Sequence, residues 1–437
     1  MNKLKYLFAL PLLALGFVAC DDDDEYTVTE VDTPVLQSSS PSDGATGIST
    51  TLSTITLTFD KNIFFASSNA DQITLNGESV SSALVYGSSS TLTITPPSLE
   101  RATTYTLSIP AGLITGPGSK PVDAISISFT TLSQSITSSL SNASADAATQ
   151  ALYAEMVSNY GSKIYSATMA NVNWNYDNAT QVYEWTGKYP AINCFDYLHL
   201  YASPANWIDY SDITPVQEWH NAGGIVAAMW HWNVPISEGS EDLSFSADGN
   251  SFSVTNALTA GTWENTVLTE DLASIVEHLK LLQDAGIPVL WRPLHEAAGA
   301  WFWWGAEDAT AYVSLWQYMY TYFKEQGLNN LIWVWTSEGG DDTDWYPGDN
   351  YVDIVSIDIY NNTDTSDILS LYNTLYSQYP DKMITLSECG SVATISAQWS
   401  ATSYWSWFMP WYNTDDTTHA DEAWWTDAMN QSYVITR

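Results

Sequence analysis

Two glutamates, Glu296 in RPLHE and Glu388 in SECG, close apolar runs of strand length and are the residues best suited by type and setting to a chemical task. A protonated carboxyl beside an ionised one can cleave an acetal. The acid protonates the departing oxygen, the anion attacks the ring carbon, and the spent acid then activates water as a base. Such a double displacement needs the carboxyls roughly 5 to 5.5 Å apart. The glutamates are 92 positions apart in the chain (388 minus 296), so only the fold can bring them together. The two roles also demand different acidities. Arg292, four residues before Glu296 and on the same face of an extended strand, is a candidate to keep Glu388 ionised by a charge-assisted hydrogen bond, a structural ion pair being its other reading.

The elements that must position these groups follow from periodicity. From residue 148 onward, apolar runs of strand length alternate with longer stretches of helical spacing, the signature of repeated βα units. Eight strands are expected: 163–169, 191–197, 224–232, 288–296, 331–337, 353–360, 383–390 and 404–411. The intervening ASIVEHLKLLQDAG (Ala273 to Gly286) repeats apolar residues every three or four positions and stops at Gly. The fold class expected for 148–437 is therefore α/β, a closed (β/α)8 TIM barrel. Reactive groups in such barrels gather at the C-terminal ends of the strands, where Glu296 (strand four) and Glu388 (strand seven) would share one mouth.

Residues 33–132 read differently. Runs such as STITLTFD (Ser53 to Asp60), QITLNG (Gln72 to Gly77), TLTITP (Thr91 to Pro96), TYTLSIP (Thr104 to Pro110) and ISISFTT (Ile125 to Thr131) alternate apolar and polar residues. That pattern argues for an all-β sandwich. PSDGATGIS (Pro41 to Ser49) and the closing FTT (Phe129 to Thr131) resemble a bacterial Ig-like domain. All 21 Trp lie at or after Trp174, so the sandwich reads as a spacer rather than a carbohydrate-binding module. A Ser/Ala/Asn-rich linker is expected over 133–147.

At the start of the chain, Lys3 and Lys5 precede an apolar run from Tyr6 to Ala19, which is too short to span a bilayer as a helix and fits a signal peptide over 1–19. Phe17-Val18-Ala19-Cys20 resembles a bacterial lipobox, with Phe17 departing from the usual aliphatic residue, and implies lipidation at Cys20; ordinary secretion is the alternative. An acidic tether follows over 20–32, and its run from Asp21 to Glu25 resembles the surface-export signal of some outer-membrane lipoproteins. The expected location is the outer membrane, cell-surface exposed. Only Cys194 and Cys389 remain, and these read as two buried thiols rather than a disulfide framework. With 12 Lys+Arg against 50 Asp+Glu the formal charge is -38, which repels polyanions and excludes nucleic acid as a partner. Since 45% of residues are hydrophobic, the acidity does not signal disorder. No metal-ligand spacing or phosphate-cradling loop is present in the sequence, so no cofactor is expected, and we expect a monomer.

The run WRPLHEAAGAWFWWG (Trp291 to Gly305), with SECG (Ser387 to Gly390), closely resembles glycoside hydrolase family 26, whose principal activity is endo-beta-1,4-mannanase. The resemblance covers most of 148–437. It implies Glu296 as acid/base and Glu388 as nucleophile. It also implies that His295 orients the sugar or the nucleophile, that Tyr360 hydrogen-bonds the nucleophile, and that Trp301 and Trp411 line the cleft around the cleaved bond. His231 would contact the sugar beyond the cleavage point. Packing is the alternative role for each of these side residues. Glu338 in TSEGG is a competing carboxylate for which a loop or subsite role is expected, and Asp341, Asp342 and Asp344 lack the spacing of a calcium loop. The substrate implied is beta-mannan, whether plain, glucomannan or galactomannan. Two other readings stay open: the same mechanism on mixed-linkage beta-glucan or beta-1,3-xylan, and a non-catalytic surface glycan-binding lipoprotein, which the intact carboxylates oppose.

Overall fold

A computed structural model describes residues 32–437 apart from 49, 51, 66, 81–89, 132–135, 172, 203–207 and 341. The signal peptide over 1–19, Cys20, the tether as far as residue 31, and Asp341 lie outside the described residues. The chain divides into two units, Met1–Ser133 and Gln134–Arg437.

In the first unit, Ile55, Leu57 and Phe59 are buried while Thr56 and Thr58 between them are not, as alternation requires when one face of a strand packs and the other meets water. Two sheets share this core. One orders Leu36–Ser40, Ile55–Phe59 and Thr91–Ile94; the other orders Ala45–Ile48, Ile125–Thr131, Thr104–Ile109, Thr74–Leu75 and Glu78–Ser79. All five of the alternating runs contain a strand. Between the sheets, Leu57, Leu92, Leu107, Ile127 and Phe129 are among the buried side chains. This is the expected sandwich.

The second unit is the expected barrel. Its strands are β1 (Ile164–Met169), β2 (Ile192–Asp196), β3 (Ile225–Trp230), β4 (Val289–Pro293), β5 (Leu331–Ser337), β6 (Ile354–Tyr360), β7 (Met383–Gly390) and β8 (Trp407–Pro410). Each pairs in parallel with the next, and β1 pairs with both β2 and β8, which closes the ring. Helices follow most strands. That at Trp263–Asp284 buries Leu268, Leu272, Ile275, Leu279 and Leu282 on one stripe. After β5 the described residues form only a 3-10 turn (Thr343–Trp345), because Gly339, Gly340, Pro347 and Gly348 interrupt that connection.

The segment read as a linker is packed rather than free. Ser141 donates its main-chain N–H to Asp353 at 2.6 Å, Asp146 N donates to Asn329 O at 2.8 Å, and Asn142 donates to Leu328 O at 3.2 Å. Leu140 and Ala145, with Tyr153 and Met156 of the helix Ala147–Asn159, join the cluster that includes Tyr165, Ile332, Val334, Ile354 and Met383 of the barrel strands. Its polar composition resembles a spacer, yet those apolar side chains anchor it to the barrel core.

Candidate active site

Strand β4 ends at Pro293, earlier than periodicity implied, and this changes how Glu296 is presented. Leu294 (φ 48°) and Glu296 (φ 52°) take left-handed backbone conformations, rare for residues with a side chain. Such turns cost about 1–3 kcal/mol per residue and persist only where the surroundings hold them. Here the holding contacts are visible. Tyr312 OH donates to Leu294 O at 3.0 Å, and Trp304 Nε1 donates to His295 O at 2.8 Å. The same-face argument for Arg292 and Glu296 therefore fails, because Arg292 lies in the strand and Glu296 beyond it in a left-handed turn. Trp301 donates its indole N–H to Glu296 Oε2 at 2.9 Å. Its ring lies so close to Gly299 that a Cβ there would sit 2.1 Å from it, so only glycine fits.

Opposite stands Glu388, only 4% exposed. In the β6–β7 pairing Ile357 faces Leu386 but Asp358 faces Glu388, so Ser387 is an extra residue in β7. This bulge re-aims the strand end, and Ser387 Oγ then donates to Asp358 Oδ1 at 2.7 Å. Arg292 reaches across to both acids. Its Nη1 donates to Glu388 Oε1 at 2.6 Å, its Nη2 pairs with Asp358 Oδ2, and its Nε donates to Thr336 Oγ1 at 2.9 Å. Tyr360 OH donates to the remaining oxygen, Glu388 Oε2, at 2.9 Å. One oxygen from each of Glu296, Asp358 and Glu388 lies within 4.8 Å of the other two. Three carboxylates so close are a donor set a cation would fit, but the Arg292 guanidinium already bonds two of them.

Burial raises both carboxyls, and only their partners tell them apart. Burial, and next the negative charge of Glu388, push the Glu296 carboxyl up to about 7. For Glu388, burial and then Asp358 raise the carboxyl to about 7 as well, against the ion pair and hydrogen bond from Arg292 that draw it back. Glu388 accepts from a guanidinium and a phenol, whereas Glu296 accepts one indole N–H and shares a hydrogen bond with Asp358, a set with no cation in it. The first proton to enter the pair therefore goes to Glu296. Burial works against the Arg292 charge, but Asp358 and Glu388 outweigh it and the guanidinium stays protonated.

The remaining wall is aromatic. His231 sits 4.7 Å from His295, 5.9 Å from Trp411 and 5.2 Å from Phe245, ring centre to ring centre. His295 is buried, and its Nδ1 has no hydrogen-bond partner among the described residues. Burial, Arg292 and His231 all lower its pKa, so it is neutral. Trp301 is 46% exposed, whereas Trp230, Trp232, Trp303 and Trp304 are buried. Trp230 and Trp232 stack at 4.1 Å, and Trp232 is tied to Asp271 at 2.6 Å.

With this geometry, residues 141–437 match the model of glycosyl hydrolase family 26. The chain belongs to that family. Residues 30–131 match the model of a bacterial Ig-like domain. The family 26 unit is similar to a mannan endo-1,4-beta-mannosidase of Thermothelomyces thermophilus, 39% identical over 290 residues, which is 64% of this chain and 58% of that protein. Mannan endo-1,4-beta-mannosidase B of Piromyces sp is 33% identical over 328 residues, covering 71% of this chain and 56% of its own length. The chain thus spans somewhat over half the length of these curated relatives. Among solved structures, the family 26 domain of an endo-beta-mannanase/endo-beta-glucanase from Prevotella bryantii superposes with a TM-score of 0.66 at 43% identity, covering 69% of this chain and 98% of that one.

The family 26 unit thus gathers Glu296, Glu388, Arg292, His295, Tyr360, Trp301, Trp411 and His231 at one end of its barrel. It adds residues that sequence reasoning left out. Asp358, on the strand that carries Tyr360, joins Arg292, and Thr336 and Ser387 brace the two. Asp196 at the end of β2 holds His231, and Phe245 comes from the hairpin of Val234–Pro235 and Leu243–Ser244. A carboxylate at a strand's C-terminal end was the available signal for Asp196 and Asp358. Burial, then Asp358 and Asp342, raise Glu338 to about 7, while Asp342 braces the loop by accepting from Ser337 Oγ at 2.9 Å and Glu338 N at 2.6 Å. Cys194 and Cys389 are free and buried.

Proposed function

We propose that this chain is a retaining, endo-acting glycoside hydrolase that cuts internal beta-1,4-mannosidic bonds of mannan, glucomannan or galactomannan. The observation that carries the reading is the approach of Glu296 and Glu388 oxygens to within 4.8 Å. Oxygens this close are compatible with the roughly 5–5.5 Å between carboxyl groups that direct attack uses.

In this mechanism Glu296, protonated, gives its proton to the glycosidic oxygen as Glu388 attacks the anomeric carbon. The C–O bond to the leaving sugar breaks with its electron pair, and a covalent glycosyl-enzyme forms. Glu296, now ionised, takes a proton from water, whose oxygen displaces Glu388. Arg292 and Tyr360 fix the two oxygens of Glu388, so attack needs little rearrangement. His231 and His295 supply polar contacts, while Trp301 and Trp411 offer flat faces for the C–H surfaces of sugars. Mannan as the substrate is supported by the names of the relatives. Reducing ends released from galactomannan, with viscosity falling early, are the expected result. Activity on lichenan or beta-1,3-xylan alone would overturn the substrate, and binding to mannan without release would overturn the catalysis.

We further infer that the chain is anchored in the outer membrane and faces outward, on the strength of Lys3, Lys5, the apolar run to Ala19, Cys20 and the acidic residues after it. Fatty-acid labelling that disappears in Cys20→Ser is expected; an unlabelled native protein contradicts it.

A further inference from the structure

Asp196 has both carboxylate oxygens committed to one neighbour. It is 0% exposed. Its Oδ1 accepts the main-chain N–H of His231 at 3.1 Å, and its Oδ2 lies 2.5 Å from His231 Nδ1. Gripping main chain and ring of the same residue fixes the rotation of the imidazole, puts a proton on Nδ1, and leaves Nε2 as the ring nitrogen available to a ligand. The burial of a carboxylate is best offset by a cation beside it. Arg292 is engaged by Thr336, Asp358 and Glu388, so the His231 ring is the group that can supply the charge.

We propose that Asp196 is a positioning residue that keeps His231 as an imidazolium with Nε2–H available to the bound sugar, and that this second buried cation joins Arg292 in holding Glu388 ionised. The second clause rests on reading Glu388 as the nucleophile.

The charged and titratable groups around His231 come from several strands. Asp196 of β2 and Glu388 of β7 favour the imidazolium. Burial, the largest influence, opposes it, as does Arg292 of β4, yet the net direction for His231 is upward. His231 in turn helps to lower Glu388. His295, 4.7 Å away, is held neutral partly by His231, so the two rings do not both carry charge. Tyr412, beyond β8, has its own hydroxyl raised by burial, with Asp196 and Glu388 contributing. Phe245, Phe302 and Trp411 complete the surround without charge.

Asp196→Asn preserves shape and an acceptor for the main-chain N–H while removing the charge. Loss of a charge-assisted contact predicts a fall in kcat/KM of about 10- to 100-fold. The acid limb of its pH profile should move up by about half a unit or more, because Glu388 loses a cation. In the native protein the His231 ring resonances should report a doubly protonated ring at pH 7, and in Asp196→Asn a neutral one. His231→Asn should add little to Asp196→Asn if the two act as a unit. An unmoved acid limb, or a native His231 already neutral at pH 6, overturns the proposal. Should Asp196→Asn not fold, the titration of His231 in the native protein still decides. Glu388→Gln run in parallel separates the failures. If it stays active, the reading of Glu388 falls; if it is inactive while Asp196→Asn behaves as the native protein, only the present inference falls.

Discussion

Glu388→Gln should lose about 10⁴- to 10⁶-fold in kcat on mannan with little change in thermal unfolding. An amide cannot attack the anomeric carbon, so double displacement has no first step. Stability survives for a specific reason. Arg292 keeps its ion pair with Asp358 and its bond to Thr336, and the substitution removes like-charge repulsion between Glu388 and Asp358. The Gln oxygen still accepts from Arg292 Nη1, and its NH2 donates to the Tyr360 hydroxyl, which can accept as well as give. Steady-state assays with a denaturation curve check both halves, and activity within tenfold of the native protein would remove Glu388 from the chemistry.

Glu296→Ala separates the two halves of the reaction. On mannan, whose leaving sugar needs a proton, kcat should fall by about 10²- to 10⁴-fold. On an aryl mannoside with a dinitrophenolate leaving group, which departs unaided, the first step should stay fast and the water step become slow, giving a burst of phenolate equal to the enzyme present. The native kcat/KM should decline as pH rises through about 7, where Glu296 loses the proton it must donate, and the variant should lack that limb. The fold tolerates the change, since Trp301 Nε1, half-exposed, then turns to water. A burst-free variant equally slow on both substrates would contradict the acid/base role.

Much of this was legible because the signals were local. Each barrel strand is a run of apolar residues whose ends fall within a few positions of the expected ones, and RPLHE and SECG carry the two acids at the mouth. What stayed hidden depends on tertiary context. A bulge at Ser387 leaves no mark in MITLSECG, yet it decides that Glu388 stands beside Asp358. The left-handed turn at Leu294 and Glu296 runs against the preferences of both residue types and exists because Tyr312 and Trp304 hold its carbonyls. Asp196 looked like the polar end of an ordinary strand because its partner, His231, lies 35 residues away. The segment around Leu140, expected as a linker, reads as a spacer by composition, since its few apolar residues are separated by Ser and Asn.

The central claim is that Glu296 and Glu388 work on one bond from opposite sides with a covalent intermediate between them. Proton NMR of a mannan oligosaccharide digest, recorded in the first minutes before mutarotation, tests it directly. New reducing ends appearing first as the beta anomer is the predicted result. Alpha reducing ends appearing first would mean a single inversion by water and would contradict the account.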